Sequence, residues 1–269
     1  MRGAAHGLAS PLLLGAGFRH AFFTRNGGVS VAPFASLNFA SGTGDPPENV
    51  RENLARAARA LEVPPERVYF LSQVHGTDAR RVDGGMDRAA FARLEGDATF
   101  ALEADLACGV RSADCGTVLV GERGSGAALA IHAGWQGTER GVIASAISEL
   151  VRALERRSGA RGLELVAAIG PHIEACCFEV DVDVASRLSL CSPIGDSAIT
   201  RAVGVKRFVD LRAILTAQLV AAGVPSDRID HVRGCTKCDP DRFFSYRRDG
   251  KVSGRLLSAI VSRGVHDLP

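Results

Sequence analysis

Short apolar runs separated by glycine-containing turns dominate the middle of the chain. Consecutive apolar residues fill positions 106–110, 118–120 and 127–131, and similar runs lie at 68–71 and 163–169. Runs of this length without polar alternation are typical of strands buried on both faces. A further β-prone run, 20–24, precedes the turn Asn26-Gly27-Gly28, whose residues favour positive φ. The pattern therefore predicts a set of strands, most of them inside the protein.

Other segments follow the three- and four-residue spacing of amphipathic helices. One helix is predicted over 47–61 and is stopped by Pro64-Pro65. Another, marked by apolar residues from 142 onward and running to about 157, has Thr138 as its N-cap and Glu139 in its first turn. A third covers 209–222, and the segment 255–261 is expected to form a last helix. This mixture of strands and helices permits a layered α/β fold.

Size and composition limit the classes of function. A chain of 269 residues with no linker and no internal repeat is expected to form one domain. Its net charge of +2 argues against nucleic acid or an anionic membrane as a partner, so small-molecule substrates are expected. The apolar stretch 8–18 is broken by proline and glycine and is too short for a membrane span. We therefore expect a cytoplasmic protein, and nothing in the sequence specifies its oligomeric state.

Three residues in separate segments are candidate metal ligands. His75, Cys115 and His132 each lie at the end of a predicted strand, beside small residues that leave room for a ligand. Zinc accepts two imidazoles and a thiolate, and its fourth position stays open for water or substrate. The alternative is that each histidine is an ordinary structural or surface residue. Because the segments are far apart in the chain, spacing alone does not decide between these interpretations.

The remaining cysteines include two conspicuous pairs. Cys176 and Cys177 are adjacent, and Cys235 and Cys238 form a C-x-x-C motif. An odd total of seven cysteines fits free thiols and metal ligands better than a disulfide framework. A single C-x-x-C lacks the partner pair that a structural zinc site requires, so reduced thiols are expected at these four positions.

Strings along nearly the whole chain resemble one known family, the laccase-domain or polyphenol-oxidase-like family. It is also called the peptidoglycan editing factor or purine nucleoside phosphorylase family. The matching strings, in chain order, are Thr24–Ser30, Gln73–Thr77, Gly96–Ala98, Ser112–Cys115, Ile131–Trp135, Ile169–Pro171, Cys177–Val180 and Phe243–Gly250.

The resemblance implies a single domain over 1–269 with a three-layer α/β/α arrangement and mixed β-sheets. It implies that His75, Cys115 and His132 bind the catalytic metal, with zinc as the expected ion and copper as the alternative. The activities it implies are phosphorolysis of adenosine, inosine and methylthioadenosine, and deamination of adenosine. A purine nucleoside and phosphate are then the small-molecule substrates.

The chain departs from the family pattern at three places. Gly116-Thr117 replaces a residue-proline pair, Gln136 stands where arginine is frequent, and Leu54 follows Asn53 where many members have arginine. The loss of guanidinium groups puts the use of phosphate in doubt, because arginine is the preferred ligand of such anions.

Several further residues are candidates for the reaction. In a deamination, Asp114 would protonate the departing amine, or it would instead orient a turn or a ligand. Arg25, Arg247 and Arg248 are the candidate phosphate ligands, and Arg25 adjoins a glycine turn whose amides can bind an anion. Arg247 and Arg248 are alternatively a solvated pair. Trp135 is a candidate wall for the base, as is Phe178, although buried aromatic residues more often belong to the core.

Three other functions stay open on the sequence. Cys115 with a histidine base would make a hydrolase that removes misincorporated L-serine from a peptidoglycan precursor. Two histidines and a cysteine are also a copper ligand set, but a polyphenol oxidase with several coppers needs more than seven histidines, usually in His-x-His pairs that are absent here. The third alternative is a non-catalytic domain in which the metal only stabilises the fold.

Overall fold

The computed structural model describes residues 4–159 and 162–264. The first three and last five residues of the predicted 1–269 domain, and residues 160 and 161, lie outside it. Among the described residues the strands are β1 (Gly7–Leu8), β2 (His20–Phe23), β3 (Val68–Tyr69), β4 (Ala79–Val82), β5 (Ala98–Ala101), β6 (Ala107–Ser112), β7 (Gly116–Glu122), β8 (Ala128–Ala133), β9 (Leu165–Ile169), β10 (Glu179–Asp181), β11 (Ile199–Val203), β12 (Lys206–Val209), β13 (Ile229–His231) and β14 (Leu256–Val261).

The α-helices of the described residues are α1 (Pro11–Gly15), α2 (Pro47–Ala60), α3 (Arg88–Phe91), α4 (Trp135–Glu139), α5 (Val142–Ser158), α6 (Val182–Leu190), α7 (Leu211–Ala221) and α8 (Tyr246–Asp249). Short 3-10 helices cover Pro65–Arg67, Gly195–Ala198, Ser226–Arg228 and Gly250–Val252. No helix of the ranges 4–159 and 162–264 has the length and hydropathy that a bilayer span requires.

Two large sheets form the centre of the molecule. One has the strand order β1-β2-β14-β6-β3 and the other the order β13-β9-β7-β8-β5-β4. Both are mixed, because β3 runs parallel to β6, β13 to β9 and β4 to β5, while the other neighbours are antiparallel. A small antiparallel sheet, β10-β12-β11, lies apart from them.

The two large sheets pack face to face. Alternate residues of a strand point to opposite faces, and in β7 both faces are buried. Leu119 packs with Val110 and Ile260 of the other sheet, whereas Val118 and Val120 pack with the apolar sides of α5 and α7. On the outer face of the first sheet, α2 packs its apolar side. The α/β class with mixed sheets is confirmed, and the β layer between the helices is two sheets thick.

Two local predictions are wrong. The segment 255–261 is not a helix: Leu256–Val261 is strand β14, which lies between β2 and β6. Thr138 does not cap the helix over 142–157, because it lies within α4 and the residue before α5 is Gly141, in the left-handed region with φ 81°. The helices predicted over 47–61, 142–157 and 209–222 are present as α2, α5 and α7.

Candidate metal centre and active site

A cavity of about 850 Å³ opens where the two large sheets meet. Its size lies in the range of small-molecule sites. The residues that line it are Ala40, Ser41, Thr43, Ser72, Gln73, His75, Arg111, Ser112, Ala113, Asp114, Cys115, His132, Trp135, Gln136, Ile173, Phe178, Leu211, Tyr246, Arg247 and Arg255.

The fold brings together the three residues proposed as metal ligands. His75 lies in the loop after β3, Cys115 in the turn between β6 and β7, and His132 near the end of β8. Their candidate ligand atoms all lie within 4.8 Å of one another. The imidazole rings of His75 and His132 have centroids 4.9 Å apart. The geometry predicted from separate stretches of sequence is therefore present.

One fully buried carboxylate, that of Asp97, positions both histidines. Its Oδ1 atom lies 2.8 Å from Nδ1 of His132, so the opposite ring nitrogen is left to face the site. The same carboxylate accepts hydrogen bonds from the backbone amides of Val74 (3.2 Å), His75 (3.0 Å) and Gly76 (2.6 Å). The Asp97 carboxylate thus holds the His75 loop and orients His132. Outer-shell carboxylates commonly have this role at metal sites.

The electrostatics of this group attract positive charge. Burial lowers the pKa of His75, and the neighbouring His132 lowers it further, so its imidazole is neutral. Burial alone would also lower the pKa of His132, but the Cys115 sulfur and the Asp97 carboxylate raise it to about 9. The sulfur and the carboxylate therefore favour positive charge at this point, as a bound metal cation would supply it.

Two further features fit a bound metal. The Nδ1 atom of His75 is buried and has no hydrogen-bond partner, which is rare for a polar atom unless it has a ligand. Gly134 supplies the space, because a Cβ atom there would lie 2.7 Å from that Nδ1 and 3.0 Å from the Cys115 sulfur. Two histidines and a cysteine thus converge on the space beside Gly134. They match the donor set of a catalytic zinc site.

Arginine side chains also line the cavity. Arg111 from β6 and Arg255, which precedes β14, reach it from the first large sheet, and Arg247 reaches it from α8. Burial, together with the charge of Arg255, lowers the pKa of Arg111 to about 10, so its guanidinium group stays charged near neutral pH. Two arginines held near each other make the cavity suited to an anion.

Asp114 lines the cavity, but its carboxylate is already engaged. Oδ1 accepts a hydrogen bond from the Thr236 hydroxyl at 2.5 Å, and Oδ2 accepts one from the Arg247 amide at 2.6 Å. Its backbone has φ 92°. These contacts tie the β6–β7 turn to the C-terminal loops and favour the structural role over that of an acid for the departing amine.

The other residues proposed from the sequence divide into two groups. Trp135, Phe178 and Arg247 line the cavity, whereas Arg25 and Arg248 do not. The guanidinium of Arg25 donates to the carbonyls of Ala35 (2.8 Å) and Pro240 (2.9 Å) and lies over the ring of Phe244. The turn beside it is not open to an anion, because a Cβ at Gly27 would lie 1.9 Å from the carbonyl oxygen of Ala4.

Arg248 also serves the fold. It donates to the carbonyls of Thr236 (2.9 Å) and Phe243 (2.9 Å) and pairs with Asp249 at 2.8 Å. The sequence reasoning overlooked Asp97, Arg111 and Arg255. A signal was available only for Asp97, which belongs to one of the strings shared with the family. Arg111 and Arg255 lie beside apolar strands, where an arginine ordinarily indicates no more than a strand end.

Comparisons with known proteins identify the family of the chain. The family model described as "Multi-copper polyphenol oxidoreductase laccase" matches residues 19–263. The purine nucleoside phosphorylase YlmD of Geobacillus stearothermophilus is 34% identical over 246 residues, covering 89% of this chain and 88% of that protein. A purine nucleoside phosphorylase of Bacteroides thetaiotaomicron is 33% identical, with 90% of each chain covered.

Solved structures give the same assignment. The crystal structure of YlmD from Geobacillus stearothermophilus has a TM-score of 0.84 and 32% identity, and the match covers 97% of this chain and 99% of that one. The Bacillus licheniformis hypothetical protein YfiH gives a TM-score of 0.82 with 31% identity, over 90% of this chain and 92% of that one. The chain therefore belongs to the polyphenol oxidoreductase laccase-domain family, whose relatives are named purine nucleoside phosphorylases.

Proposed function

We propose that this protein is a zinc-dependent purine nucleoside phosphorylase that acts on adenosine, inosine and methylthioadenosine and also deaminates adenosine. The observation that carries the proposal is one cavity that is lined both by His75, Cys115 and His132 and by three arginines, Arg111, Arg247 and Arg255. The names of the relatives support the same substrate class. The seven free cysteines support a reducing, cytoplasmic location.

Different residues of the cavity would have different roles in phosphorolysis. A phosphate oxygen bonds to the anomeric carbon as the glycosidic C–N bond breaks, and the purine leaves with the bonding electron pair and takes up a proton. Arg111, Arg247 and Arg255 would hold the phosphate and offset its charge. Trp135 and Phe178 would provide an apolar surface for the base. These arginines would supply guanidinium groups for the phosphate although Gln136 stands where arginine is frequent in the family.

His75, Cys115 and His132 would hold the metal, and Asp97 would orient His132. When bound, zinc would supply Lewis acidity and lower the pKa of a water molecule toward neutrality, which also suits deamination at C6 of adenine. Zinc is favoured over copper because the described residues gather one site with two histidines and a cysteine, not the several histidine-rich sites of an oxidase with many coppers.

The test is a product analysis of the zinc-loaded protein with adenosine or inosine, with and without phosphate. We expect free base and ribose 1-phosphate only when phosphate is present, and inosine from adenosine in either case. His75→Ala should abolish both conversions while the protein stays folded, which would exclude a metal that only stabilises the fold. Absence of any nucleoside conversion with zinc bound would overturn the proposal, and release of L-serine from a peptidoglycan precursor would favour the hydrolase instead.

A substitution of one cavity arginine tests the proposed phosphate site. Arg255→Gln removes one charge from the proposed phosphate site, and a lost charged hydrogen bond of about 1.5–3 kcal/mol raises the KM for phosphate roughly 10- to 100-fold. Deamination of adenosine should change far less, because it needs no phosphate. Arg59→Gln, at an exposed position near the end of α2, is the matched control. Equal effects of both substitutions would contradict the assignment.

A further inference from the structure

Four cysteines form a second cluster, outside the cavity described above. Cys176 and Cys177 lie in the loop between β9 and β10, and Cys235 and Cys238 lie in the segment after β13. Their sulfur atoms are all within 4.8 Å of one another. The Cys238 sulfur is 3.7 Å from that of Cys176 and 3.2 Å from that of Cys177. The partner pair that the C-x-x-C motif lacks in sequence is therefore supplied by the fold.

The backbone holds the two pairs in register. His172 and Cys235 form an isolated parallel β-bridge between the two loops. The His172 amide donates to the Gly234 carbonyl at 3.2 Å, and the Thr236 amide donates to the His172 carbonyl at 3.1 Å. The backbone amides of Glu174 and Cys238 are hydrogen-bonded to the Cys235 sulfur. Main-chain contacts thus hold the two segments that carry the cysteine pairs next to each other.

The spacing of the sulfur atoms matches a single tetrahedral ion. With a zinc–sulfur distance of about 2.3 Å, tetrahedral geometry places the sulfurs roughly 3.8 Å apart. A disulfide requires about 2.05 Å, and all seven cysteines are free. Cys176 and Cys238 are exposed, and four free thiols this close at a surface would be prone to oxidation without a ligand. Four thiolates in tetrahedral geometry select zinc or iron.

We propose that Cys176, Cys177, Cys235 and Cys238 bind one structural zinc ion. The inference does not rest on the proposed function, because none of the four cysteines lines the cavity. The ion would join the loop that carries Ile173 and Phe178 to the segment that leads to α8. Both stretches contribute to the cavity wall, so this zinc would fix the shape of the substrate site without taking part in the reaction.

Metal analysis of variants tests the proposal. A protein with His75→Ala and Cys115→Ser should retain about one zinc ion per chain, and X-ray absorption at the zinc edge should show four sulfur neighbours. Cys235→Ser with Cys238→Ser should lose that ion and lower the Tm by roughly 4 °C or more, provided that the variant folds. Cys191→Ser, a partly buried cysteine outside both clusters, is the matched control and should keep the full metal content.

The first of these variants leaves the four cysteines intact, so the test does not depend on whether the cysteine variant folds. A metal-free protein after His75→Ala and Cys115→Ser, or a zinc ion with fewer than three sulfur neighbours, would overturn the proposal. Peptide mapping without reductant that finds a disulfide among the four cysteines would also overturn it. Nucleoside turnover is not a readout in these experiments, so failure of the catalytic proposal leaves this one unaffected.

Discussion

Asp97→Asn is the substitution that tests the organisation of the metal centre most directly. The two side chains have nearly the same shape, but the asparagine is neutral and offers one acceptor oxygen where aspartate offers two. In the native protein Oδ1 accepts from the His75 amide and the His132 ring, and Oδ2 accepts from the amides of Val74 and Gly76. Whichever way the asparagine amide turns, its NH2 group faces two donors.

The magnitude follows from these contacts. Asp97 is fully buried, so water cannot replace a lost partner. Loss of two hydrogen bonds to a charged group, at about 1.5–3 kcal/mol each, lowers the free energy of unfolding by roughly 3 kcal/mol or more. If His132 loses its acceptor, its ring is no longer held toward the metal. Substitution of an outer-shell carboxylate typically lowers metal affinity 10- to 100-fold, or about 1.4–2.7 kcal/mol.

The assay is competition for zinc with a chromophoric chelator, combined with urea unfolding of the metal-free protein. Glu122→Gln is the matched control: Glu122 is buried and accepts amides of Gly124 (3.2 Å), Ser125 (2.5 Å) and Glu164 (2.9 Å). It lies at the end of β7 that is remote from Cys115. We expect both variants to lose stability but only Asp97→Asn to lose affinity at the centre. Affinity within about threefold of wild type would refute the reasoning.

Three further predictions concern other parts of the molecule. Burial, with the nearby charge of Arg212, lowers the pKa of His172 from 6.5 to about 3. Between these two pH values the unfolded chain binds a proton at His172 that the folded protein does not, so the folded protein loses stability on acidification from pH 6.5 toward pH 3. Below pH 6.5 the unfolding free energy should fall by about 1.4 kcal/mol per pH unit from this residue, and His172→Gln should flatten that slope in urea titrations. Gly134→Ala should displace the ring of His75 and lower zinc affinity with little loss of Tm; unchanged affinity would show that the space is not needed. Leu257→Ala should cost about 2–5 kcal/mol in thermal or urea unfolding because Leu257 is fully buried in β14, and a loss below 1 kcal/mol would contradict its place in the core.

The sequence predicts the strands of the interior well because buried strands have a simple signature. The runs at 118–120 and 127–131 are apolar without interruption, and each proves to be a strand covered on both faces. At 255–261 the signature is ambiguous, and the predicted helix is wrong. There, residues 256, 257, 260 and 261 have the spacing of a helix face, but β14 is buried throughout and its polar Ser258 faces Thr117 at 3.0 Å. The segment forms a strand and not a helix because it pairs with the neighbouring strands β2 and β6, which its own sequence does not reveal.

The candidate site was predictable to a similar degree. The three candidate metal ligands are predictable because each stands in a distinctive short string, whereas the arginines that line the cavity are not. Arg25 lies within such a string, yet its guanidinium contacts the backbone of the fold, while Arg255 lies outside the strings and lines the cavity. An arginine carries no sequence mark that separates a structural contact from an anion ligand. The partnership of the four cysteines likewise depends on loop pairing that spacing in the chain cannot express.

The turn between β6 and β7 has a consequence for any attempt to alter this protein. It passes from one large sheet to the other in only three residues, 113–115, and the last of them is Cys115. Arg111 precedes the turn by two positions and belongs to the opposite sheet. If Cys115 holds a cation and Arg111 an anion, as proposed, the distance between the two ions depends on how the two sheets pack against each other. Substitutions between the two large sheets, far from the cavity, should change substrate preference by changing that distance.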